Sequence, residues 1–367
     1  MSAESNRLAI ALVHYRTPEL LRPAIEALLA DLAASALSAE IVVVDNDPSA
    51  EVGARIADLP VRELTPGENL GYAGGVAFAV AATASPILVA MNPDVLVRRG
   101  CVAALVAELE SGAAIVGPRL FWDEERRFRL PPNEPRRPSW ELAVALARRY
   151  PVLRRAVRAH WRRHARRFWL AAGPLASADL SGALIAFRRQ DYLSVGGFDP
   201  GFRLYFEESD LIARLVRSGR QSRFVPAAEA VHLYAQSSRR EPAAERWFAE
   251  SAARFRDRHY GAWTARRLAA LERRAPVERV ASPTALRRDE SWTPRVDGAG
   301  AEWLEVGAQP LGLPAAGELR AVDEVGHPWS LPPAVVARLS PGRYSLRAVA
   351  RSGREGEVRE WIEKERS

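Results

Sequence analysis

The sequence predicts an α/β protein in which a mostly parallel sheet, covered by helices on both faces, precedes a small all-β domain. Nearly continuous apolar runs alternate with helix-like segments over residues 8–117, a pattern typical of parallel strands that are buried on both faces. The same alternation resumes near residue 182, after a Pro-rich interruption. Beyond about residue 275, short apolar runs are separated by Gly and Pro clusters, which favours a small sandwich or barrel.

The elements follow from local patterns. Helices are predicted where apolar residues recur at helical spacing, with Pro18 in the first turn of the first helix and Gly219 after the last residue of a later one. Short apolar runs predict strands. The predicted strands are 8–13, 41–44, 61–64, 87–91, 182–187, 222–225, 303–306, 319–322 and 344–349, and the predicted helices are 18–34, 74–84, 101–110, 207–218 and 242–273.

Composition narrows the class of protein. The 367 residues carry 48% hydrophobic residues, and no run of 18 or more apolar residues predicts a transmembrane helix. The single cysteine, Cys101, excludes an internal disulfide and fits a reducing compartment. Residues 1–8 lack the pattern of a secretory signal, so we expect a cytoplasmic protein that can also lie peripherally on the inner face of the plasma membrane.

The net charge of +7 is concentrated in one segment. An Arg- and Trp-rich helical insertion is predicted at about 131–172, and residues 136–167 contain eleven Arg but one acid, Glu141. Arg mixed with tryptophan on a helix suits an anionic membrane surface, so peripheral membrane contact through 136–169 is predicted. The alternative is a solvated helical face whose tryptophans pack on a core. No motif for nucleic acid accompanies the charge, so nucleic acid is not expected as a partner.

Two polar clusters follow the first two predicted strands. Tyr15 lies just after the first strand, where its ring could contact a base. Asp45 ends the second strand, where an acid suits a hydrogen bond to a nucleobase or ribose hydroxyl. A simple loop and a helix cap are the respective alternatives.

Two further clusters indicate binding sites, one for an anion and one for a cation. Asn69, Gly71 and Gly74 lie in a glycine-containing segment before a helix, where backbone N–H groups can meet a phosphate. Asn92 and Asp94 flank a proline after a buried strand, and a carboxylate there can hold a divalent cation together with a diphosphate. Both segments also fit ordinary turns.

An acidic cluster opens a later helix. Glu207, Glu208 and Asp210 exceed what the helix dipole requires, and a carboxylate at such a junction can remove a proton from a hydroxyl. His232 stands near a strand end, where a structural histidine is the usual interpretation. Together with Asp94 it becomes a candidate second metal ligand.

In this order, the clusters resemble a family 2 glycosyltransferase of GT-A fold, closest to the bacterial rhamnosyltransferase-like branch. The similarity covers about residues 7–260 and rests on short segments: Val43-Val44-Asp45-Asn46, Asn69 to Gly75, Asn92-Pro93-Asp94, Gly196-Gly197-Phe198-Asp199, Tyr205 to Leu211 and His232. The resemblance implies an inverting transfer from a nucleotide-diphosphate sugar, of the dTDP or UDP type, to a glycan or polyprenyl-linked acceptor.

The resemblance also implies roles for single residues. Asp45 would meet the base or ribose, and Asn69 and Gly71 would lie along the nucleotide. Asp94 would bind Mg²⁺ or Mn²⁺ on the diphosphate, and His232 would contact the metal or phosphate. The remaining roles fall on the acidic cluster, where Glu208 would be the general base and Glu207 and Asp210 would support or bind acceptor hydroxyls.

The sequence departs from the family pattern at two of these positions. Asn92 replaces the first acid of the metal motif, and Glu208 replaces an Asp, which lengthens the base by one methylene. A nucleotidyltransferase and a non-catalytic sugar-nucleotide-binding protein therefore remain as alternatives. The predicted domains are 1–275, the GT-A domain including the insertion, and 276–367, a β-rich accessory domain. A homodimer is possible.

Overall fold

The computed structural model describes residues 7–47, 52–178, 180–233, 243–273, 291–308, 311–339 and 342–363. The chain divides into two compact units, each assembled from two stretches of sequence. The first unit comprises Met1–Arg119 and Ala171–Ala262, and the second comprises Leu120–Leu170 and Trp263–Ser367.

The first unit alternates strands and helices as predicted. Its elements are β1 Leu8–His14, α1 Pro18–Ala34, β2 Glu40–Asp45, α2 Val52–Ile56, β3 Arg62–Leu64, α3 Gly71–Ala82, β4 Ile87–Met91, β5 Val95–Val97, α4 Cys101–Glu110 and most of β6 Ile115–Phe121, whose last two residues belong to the second unit.

After β6 the chain passes through the second unit before it returns to the first. There, β7 Phe128–Arg129, α5 Pro138–Arg149 and α6 Arg154–Trp169 follow β6. The chain then returns to the first unit with β8 Leu175–Ala176, β9 Leu184–Arg188, α7 Arg189–Ser194, α8 Glu207–Arg217, β10 Ser222–His232 and α9 Ala244–Tyr260.

The sheet of the first unit is mixed, with a parallel part. Strands β3, β2, β1 and β4 pair in parallel, and β9 then pairs antiparallel to β4 and to β6. β10 runs antiparallel to β5 and β8. The register sets His14 opposite Asp45 and Leu12 opposite Met91, so the carboxyl ends of β1, β2 and β4 meet at one edge.

Helix α1 shows how the sequence builds this layer. Leu21, Ile25 and Leu28 recur at helical spacing and are fully buried. Buried Asp31 accepts hydrogen bonds from the backbone N–H groups of Gly100 and Val102, at the start of α4. A carboxylate from α1 thus caps α4, whose own sequence provides no capping side chain.

The second unit combines an antiparallel sheet with helices. After α10 Ala262–Arg273, its strands are β11 Arg295–Val296, β12 Ala299–Gly300, β13 Trp303–Ala308 and β14 Ala315–Leu319, and helix α11 Pro333–Arg338 precedes β15 Gly342–Val349 and β16 Glu355–Glu363. The sheet order is β16-β15-β13-β14-β7. The predicted strands 303–306 and 344–349 are therefore confirmed. The predicted strand 319–322 is wrong, because β14 ends at Leu319 and Val322–Glu324 form a 3₁₀ turn.

The structure places the insertion differently from the prediction. Residues of α5 and α6 group with the C-terminal strands, because Trp161, Trp169 and Trp303 share one buried cluster. Arg162, also buried, pairs through Nη2 with Glu305 at 2.8 Å. The second unit is therefore not all-β. The predicted boundary at residues 275 and 276 lies outside the described residues.

The aromatic side chains that were predicted to contact a membrane are buried. Trp140, Trp161, Phe168 and Trp169 are at most 6% exposed, so these aromatic side chains form a core and are not available to lipid. In the parts of the chain that the structure describes, no helix combines the length and the apolar character needed to cross a membrane.

Candidate active site

The ends of β1 and β2 are joined by buried side chains. Nδ1 of His14 lies 2.9 Å from Oδ1 of Asp45, and Nε2 accepts a hydrogen bond from Thr17 N–H at 3.0 Å. Because Nε2 accepts a hydrogen bond, the ring proton is on Nδ1, and Nδ1–H donates a hydrogen bond to Asp45. The same Oδ1 accepts the backbone N–H of Asp47 at 2.9 Å. Asp45 is thus held rigidly at the sheet edge.

The glycine segment is tied to β2. Asn46 donates from Nδ2 to the carbonyl of Gly71 at 3.0 Å, and Asn69 Oδ1 accepts the N–H of Gly71 at 2.9 Å. Gly71 has a φ of +70°, and a Cβ there would stand 2.6 Å from the carbonyl oxygen of Arg203. Only glycine allows this approach without strain. The segment therefore lies directly against the loop that leads to the acidic cluster.

Helix α3 begins earlier than predicted. It starts at Gly71, not at Gly74, because Asn46 and Asn69 fix the backbone at its first residue. A Cβ on Gly75 would stand 2.7 Å from Val13, so this helix packs closely on β1. Its N-terminus is directed by the same contacts to the sheet edge, as an anion site requires.

The turn after β4 presents the candidate metal ligands. Asp94, 4% exposed, places Oδ1 3.4 Å from Nε2 of His232. The backbone supports the pair, since Leu233 N–H donates to the carbonyl of Asp94 at 2.8 Å and β10 sets His232 opposite Val95. The structure thus brings Asp94 and His232 side by side, and metal binding by this pair stays a prediction.

A carboxylate oxygen and an imidazole nitrogen are suitable ligands for Mn²⁺. Across the described ranges, no three His, Cys, Asp or Glu side chains come close enough to hold a metal ion. The pair of Asp94 and His232 therefore fits a cation that takes its other ligands from a diphosphate and water.

One backbone segment joins the turn after β4 to the acidic cluster. Asn92 N–H donates to the carbonyl of Ala183 at 2.9 Å. Its neighbour Gly182 accepts the hydroxyl of Tyr72 at 2.7 Å, and a Cβ on Gly182 would stand 3.3 Å from Cγ of Glu208. The candidate metal turn, the glycine helix and the candidate base thus meet at Gly182.

The acidic cluster follows an unusual turn. Tyr205 and Phe206 both have a φ of +67°, a conformation that costs a non-glycine residue about 1–3 kcal/mol. Phe206 is 3% exposed and packs with Phe202 and Phe255, and this burial offsets the strain. After this turn, Glu208 in the first turn of α8 lies against Gly182.

The two adjacent glutamates differ in environment. Burial, reinforced by the neighbouring Glu208, raises the pKa of Glu207 well above its ordinary value, which favours the neutral acid. Within the described residues, Oε2 of Glu207 has no hydrogen-bond partner. Glu208 accepts the hydroxyl of Ser209 at 3.3 Å. Burial and both glutamates raise the pKa of Tyr72, so it remains a phenol.

Asp210 is engaged by other side chains. It is fully buried, with Oδ2 bonded to Arg214 and Oδ1 to Arg258 and His259 at 2.7–2.9 Å. Burial alone would raise the pKa of Asp210, but the hydrogen bonds from His259, Arg214 and Arg258 outweigh it and hold the pKa below its usual range. An ionised carboxylate with these partners locks α8 to α9 and has no oxygen directed to an acceptor.

The structure brings most of the predicted site residues to one edge of the first unit. Hydrogen bonds or direct approach connect Asp45, Asn69, Gly71, Asn92, Asp94, His232 and Glu208 with their neighbours there. Tyr15 is half-buried beneath the guanidinium of Arg16, 4.9 Å from its ring centre. Sequence reasoning assigned no role to His14, Tyr72 or Gly182. For Gly182, its position as the first residue of the predicted strand 182–187 was the available signal.

The chain is similar in part to curated proteins. The chain is 39% identical over 88 residues to N-acetylglucosaminyl-diphospho-decaprenol L-rhamnosyltransferase of Mycobacterium tuberculosis, an alignment that covers 23% of this chain and 29% of that protein. It is 36% identical over 77 residues to rhamnosyltransferase WbbL of Escherichia coli, covering 20% of this chain and 29% of WbbL. The chain therefore spans less than a third of these curated relatives.

Two solved structures are also similar. The mannosyltransferase PcManGT of Pyrobaculum calidifontis in complex with GDP-Man and Mn²⁺ matches with a TM-score of 0.43 and 16% identity, over 73% of this chain and 74% of that one. GalNAc-T7 with UDP, GalNAc and Mn²⁺ matches with a TM-score of 0.47 and 14% identity, over 72% and 54%. The profile described as "Glycosyl transferase family 2" matches residues 9–192, half of the chain, and the protein belongs to that family.

Proposed function

We propose that the protein is an inverting glycosyltransferase that moves a sugar from a nucleotide-diphosphate donor to a hydroxyl of a glycan or lipid-linked glycan. The observation that carries the proposal is the meeting of Tyr72, Glu208 and the turn that contains Asn92 and Asp94 around the segment Gly182-Ala183, which Asn92 contacts through its N–H. A cation site, a phosphate-facing helix and a carboxylate are the parts that such a transfer needs. The names of the similar proteins favour rhamnose as the sugar.

The donor is held by the first three clusters. Asp45 contacts the base or ribose, since His14 and Asp47 fix its carboxylate at the end of β2. The N-terminus of α3, beginning at Gly71, faces the diphosphate. Asn69 fixes this N-terminus through Oδ1 and lies along the nucleotide.

Asp94 and His232 would hold the cation together with the diphosphate of the donor. When bound, Mg²⁺ or Mn²⁺ supplies positive charge beside the diphosphate as negative charge grows on it. With Asn92 in place of an acid, the protein provides one carboxylate. We therefore expect the apoprotein to bind the cation weakly and the complex with nucleotide to bind it tightly.

Glu208 removes the proton of the acceptor hydroxyl as its oxygen attacks the sugar carbon opposite the leaving diphosphate. Glu207 lies beside the base in the sequence, and because its burial favours the neutral acid, it does not take the proton of the acceptor. Asp210 positions both through its lock on α8. The extra methylene of Glu208 is accommodated because Gly182 has no side chain.

Replacement of the base tests this function. Glu208→Gln keeps the shape but removes the base, so transfer should fall by at least about 10²-fold while donor binding is retained. Transfer is measured as release of nucleoside diphosphate, and donor binding as a thermal shift with a panel of nucleotide sugars and Mg²⁺ or Mn²⁺. Glu110→Gln, an exposed change in the same unit, is the control and should behave as wild type.

The two readouts separate the proposal from its alternatives. Selective stabilisation by one nucleotide sugar without any acceptor-dependent release would indicate a non-catalytic binding protein. Wild-type turnover by Glu208→Gln would show that another group is the base. Formation of nucleotide sugar and pyrophosphate from a nucleoside triphosphate would indicate a nucleotidyltransferase. A homodimer stays a prediction.

A further inference from the structure

The turn that joins α5 to α6 exposes apolar side chains. We call residues Tyr150–Leu153 the tip; its Pro151–Leu153 part forms a single 3₁₀ turn. Tyr150 is 49% exposed, Val152 83% and Leu153 37%. Leu142, on α5, adds another exposed apolar side chain at 45%. Single exposed apolar residues are common on protein surfaces, but several exposed apolar residues at the end of a helical hairpin indicate an interaction site.

Basic residues surround the tip. Arg148 and Arg149 precede it and Arg155 follows it, and all three are exposed. No Asp or Glu occurs between Leu142 and Ala178. The exposed face of α6 continues the positive charge away from the tip, through Arg163 and Arg167. The surface is thus apolar at its end and cationic around it.

Other residues of the same segment hold the hairpin in place. Arg158 makes two hydrogen bonds of 2.7 Å to Glu355, and Arg162 pairs with Glu305. Trp140 stacks on His160 with ring centres 5.6 Å apart, which fixes α5 against α6. The segment therefore divides its arginines between internal ion pairs and an exposed surface.

We propose that the tip inserts into the surface of an anionic lipid membrane. Val152 and Leu153 would enter the boundary between headgroups and acyl chains, Tyr150 would lie at headgroup level, and Arg148, Arg149 and Arg155 would bind lipid phosphates. Nucleic acid would also attract the arginines, but it offers no environment for the exposed aliphatic side chains. The charge and the apolar tip together favour lipid.

Lipid binding by the tip does not depend on the proposed transferase activity. If the acceptor is lipid-linked, a point that rests on the proposed function, the tip would keep the enzyme at the surface that carries its substrate. The experiments below read lipid binding alone. Their failure would therefore leave the transferase assignment intact, and a failure of the transferase assignment would not affect them.

Co-sedimentation with vesicles tests the proposal. The 367-residue protein is mixed with vesicles of phosphatidylcholine alone or with vesicles in which roughly a third of the lipid is anionic phosphatidylglycerol. Wild type should sediment with the anionic vesicles only. Val152→Glu/Leu153→Glu should lose at least about tenfold in partitioning, because charged side chains do not enter the acyl boundary. Arg148→Gln/Arg149→Gln should lose about fivefold for each charge.

Val322 provides the matched control. It lies in the same unit, is apolar and is 93% exposed, but it is remote in sequence from the basic segment. Val322→Glu should sediment as wild type. If Val322→Glu and the tip variant lost binding equally, or if the tip variant bound as wild type, the proposal would be overturned. Salt-sensitive binding of equal strength to vesicles and to DNA would also overturn it.

A fluorescent probe reports the position directly. Cys101 is fully buried, so an environment-sensitive label on Val152→Cys should react at that position alone. The emission should shift to the blue and strengthen with anionic vesicles, whereas the same label on Val322→Cys should not change. An unchanged spectrum at position 152 while the protein sediments with vesicles would place the lipid contact elsewhere and contradict the insertion.

Discussion

Glu207 and Glu208 are adjacent in sequence, yet the structure gives them different chemistry. Burial raises the pKa of Glu207, so the folded protein holds a proton there that the unfolded chain releases. Glutamine imitates the neutral acid and keeps a hydrogen-bond donor. We expect Glu207→Gln to retain transfer within about tenfold of wild type, in contrast to Glu208→Gln.

The raised pKa of Glu207 also sets a pH dependence of stability. Its contribution is fully present below the ordinary pKa of 4.5 and is lost as pH rises towards the folded value. Relative to wild type, Glu207→Gln should therefore gain about 1.4 kcal/mol for each pH unit in that window. Urea unfolding of both proteins from pH 4.5 to pH 9 measures the difference. A constant difference over this range would show that Glu207 is ionised in the folded protein.

The role of Asp210 could not be predicted from the sequence. The motif Glu207 to Leu211 identified an acidic cluster, but not which carboxylate faces the acceptor. Two of the partners of Asp210, Arg258 and His259, lie 48 and 49 residues further along the chain. Only the packing of α9 against α8 shows that the carboxylate of Asp210 joins these two helices. Asp45 and Asp94 were predictable because strand ends fix their place, whereas helix-to-helix partners carry no local signal.

At the level of elements, the junction of α8 and α9 depends on the buried charge of Asp210. Asp210→Asn would leave Arg214 and Arg258 without their carboxylate and should cost about 3–5 kcal/mol of unfolding free energy. Asp257→Asn, on the exposed side of α9, is the control and should change stability by less than about 0.5 kcal/mol. Denaturant titration measures both.

The pH profile distinguishes the lock from simple packing. Because the folded pKa of Asp210 is lowered, its stabilisation is present above the ordinary value of 3.8 and is lost as pH falls through the folded value. The difference between wild type and Asp210→Asn should accordingly shrink below about pH 4. A difference that stays constant down to pH 3 would assign the loss to packing.

The start of α3 is the second element whose geometry depends on one residue. Gly71 needs a positive φ and also lies against Arg203, whereas Gly67 has a φ of +85° with open space around its Cβ position. Gly71→Ala should therefore cost more than Gly67→Ala, by about 1–3 kcal/mol, and should weaken donor binding. Thermal shifts with and without nucleotide sugar measure both effects. Equal costs would mean that the loop relaxes away from Arg203.

For the whole molecule, the sequence predicted the first sheet more completely than the second unit. Strands β1, β2 and β4 are continuous apolar runs, and α1 and α4 end where the pattern ends. The grouping of α5 and α6 with the C-terminal strands was not predictable. It depends on pairs such as Arg162 with Glu305, which are 143 residues apart. Arginine-rich composition alone suggested a surface, and the buried partners are visible only in three dimensions.

Because α5 and α6 belong to the second unit, a change in their buried ion pairs should affect the stability of that unit but not donor binding. Arg162 and Glu305 are at most 3% exposed, so Arg162→Ala would leave a buried carboxylate unpaired, at a cost of about 3–5 kcal/mol to the second unit. All proposed donor ligands belong to the first unit. Arg162→Ala should thus lower the melting temperature while the dissociation constant of the nucleotide sugar, measured calorimetrically well below the transition, stays within about twofold of wild type. Arg162→Met/Glu305→Met should recover most of the stability, because it removes both charges together. A parallel loss of donor affinity in Arg162→Ala would show that the second unit contributes to the donor site.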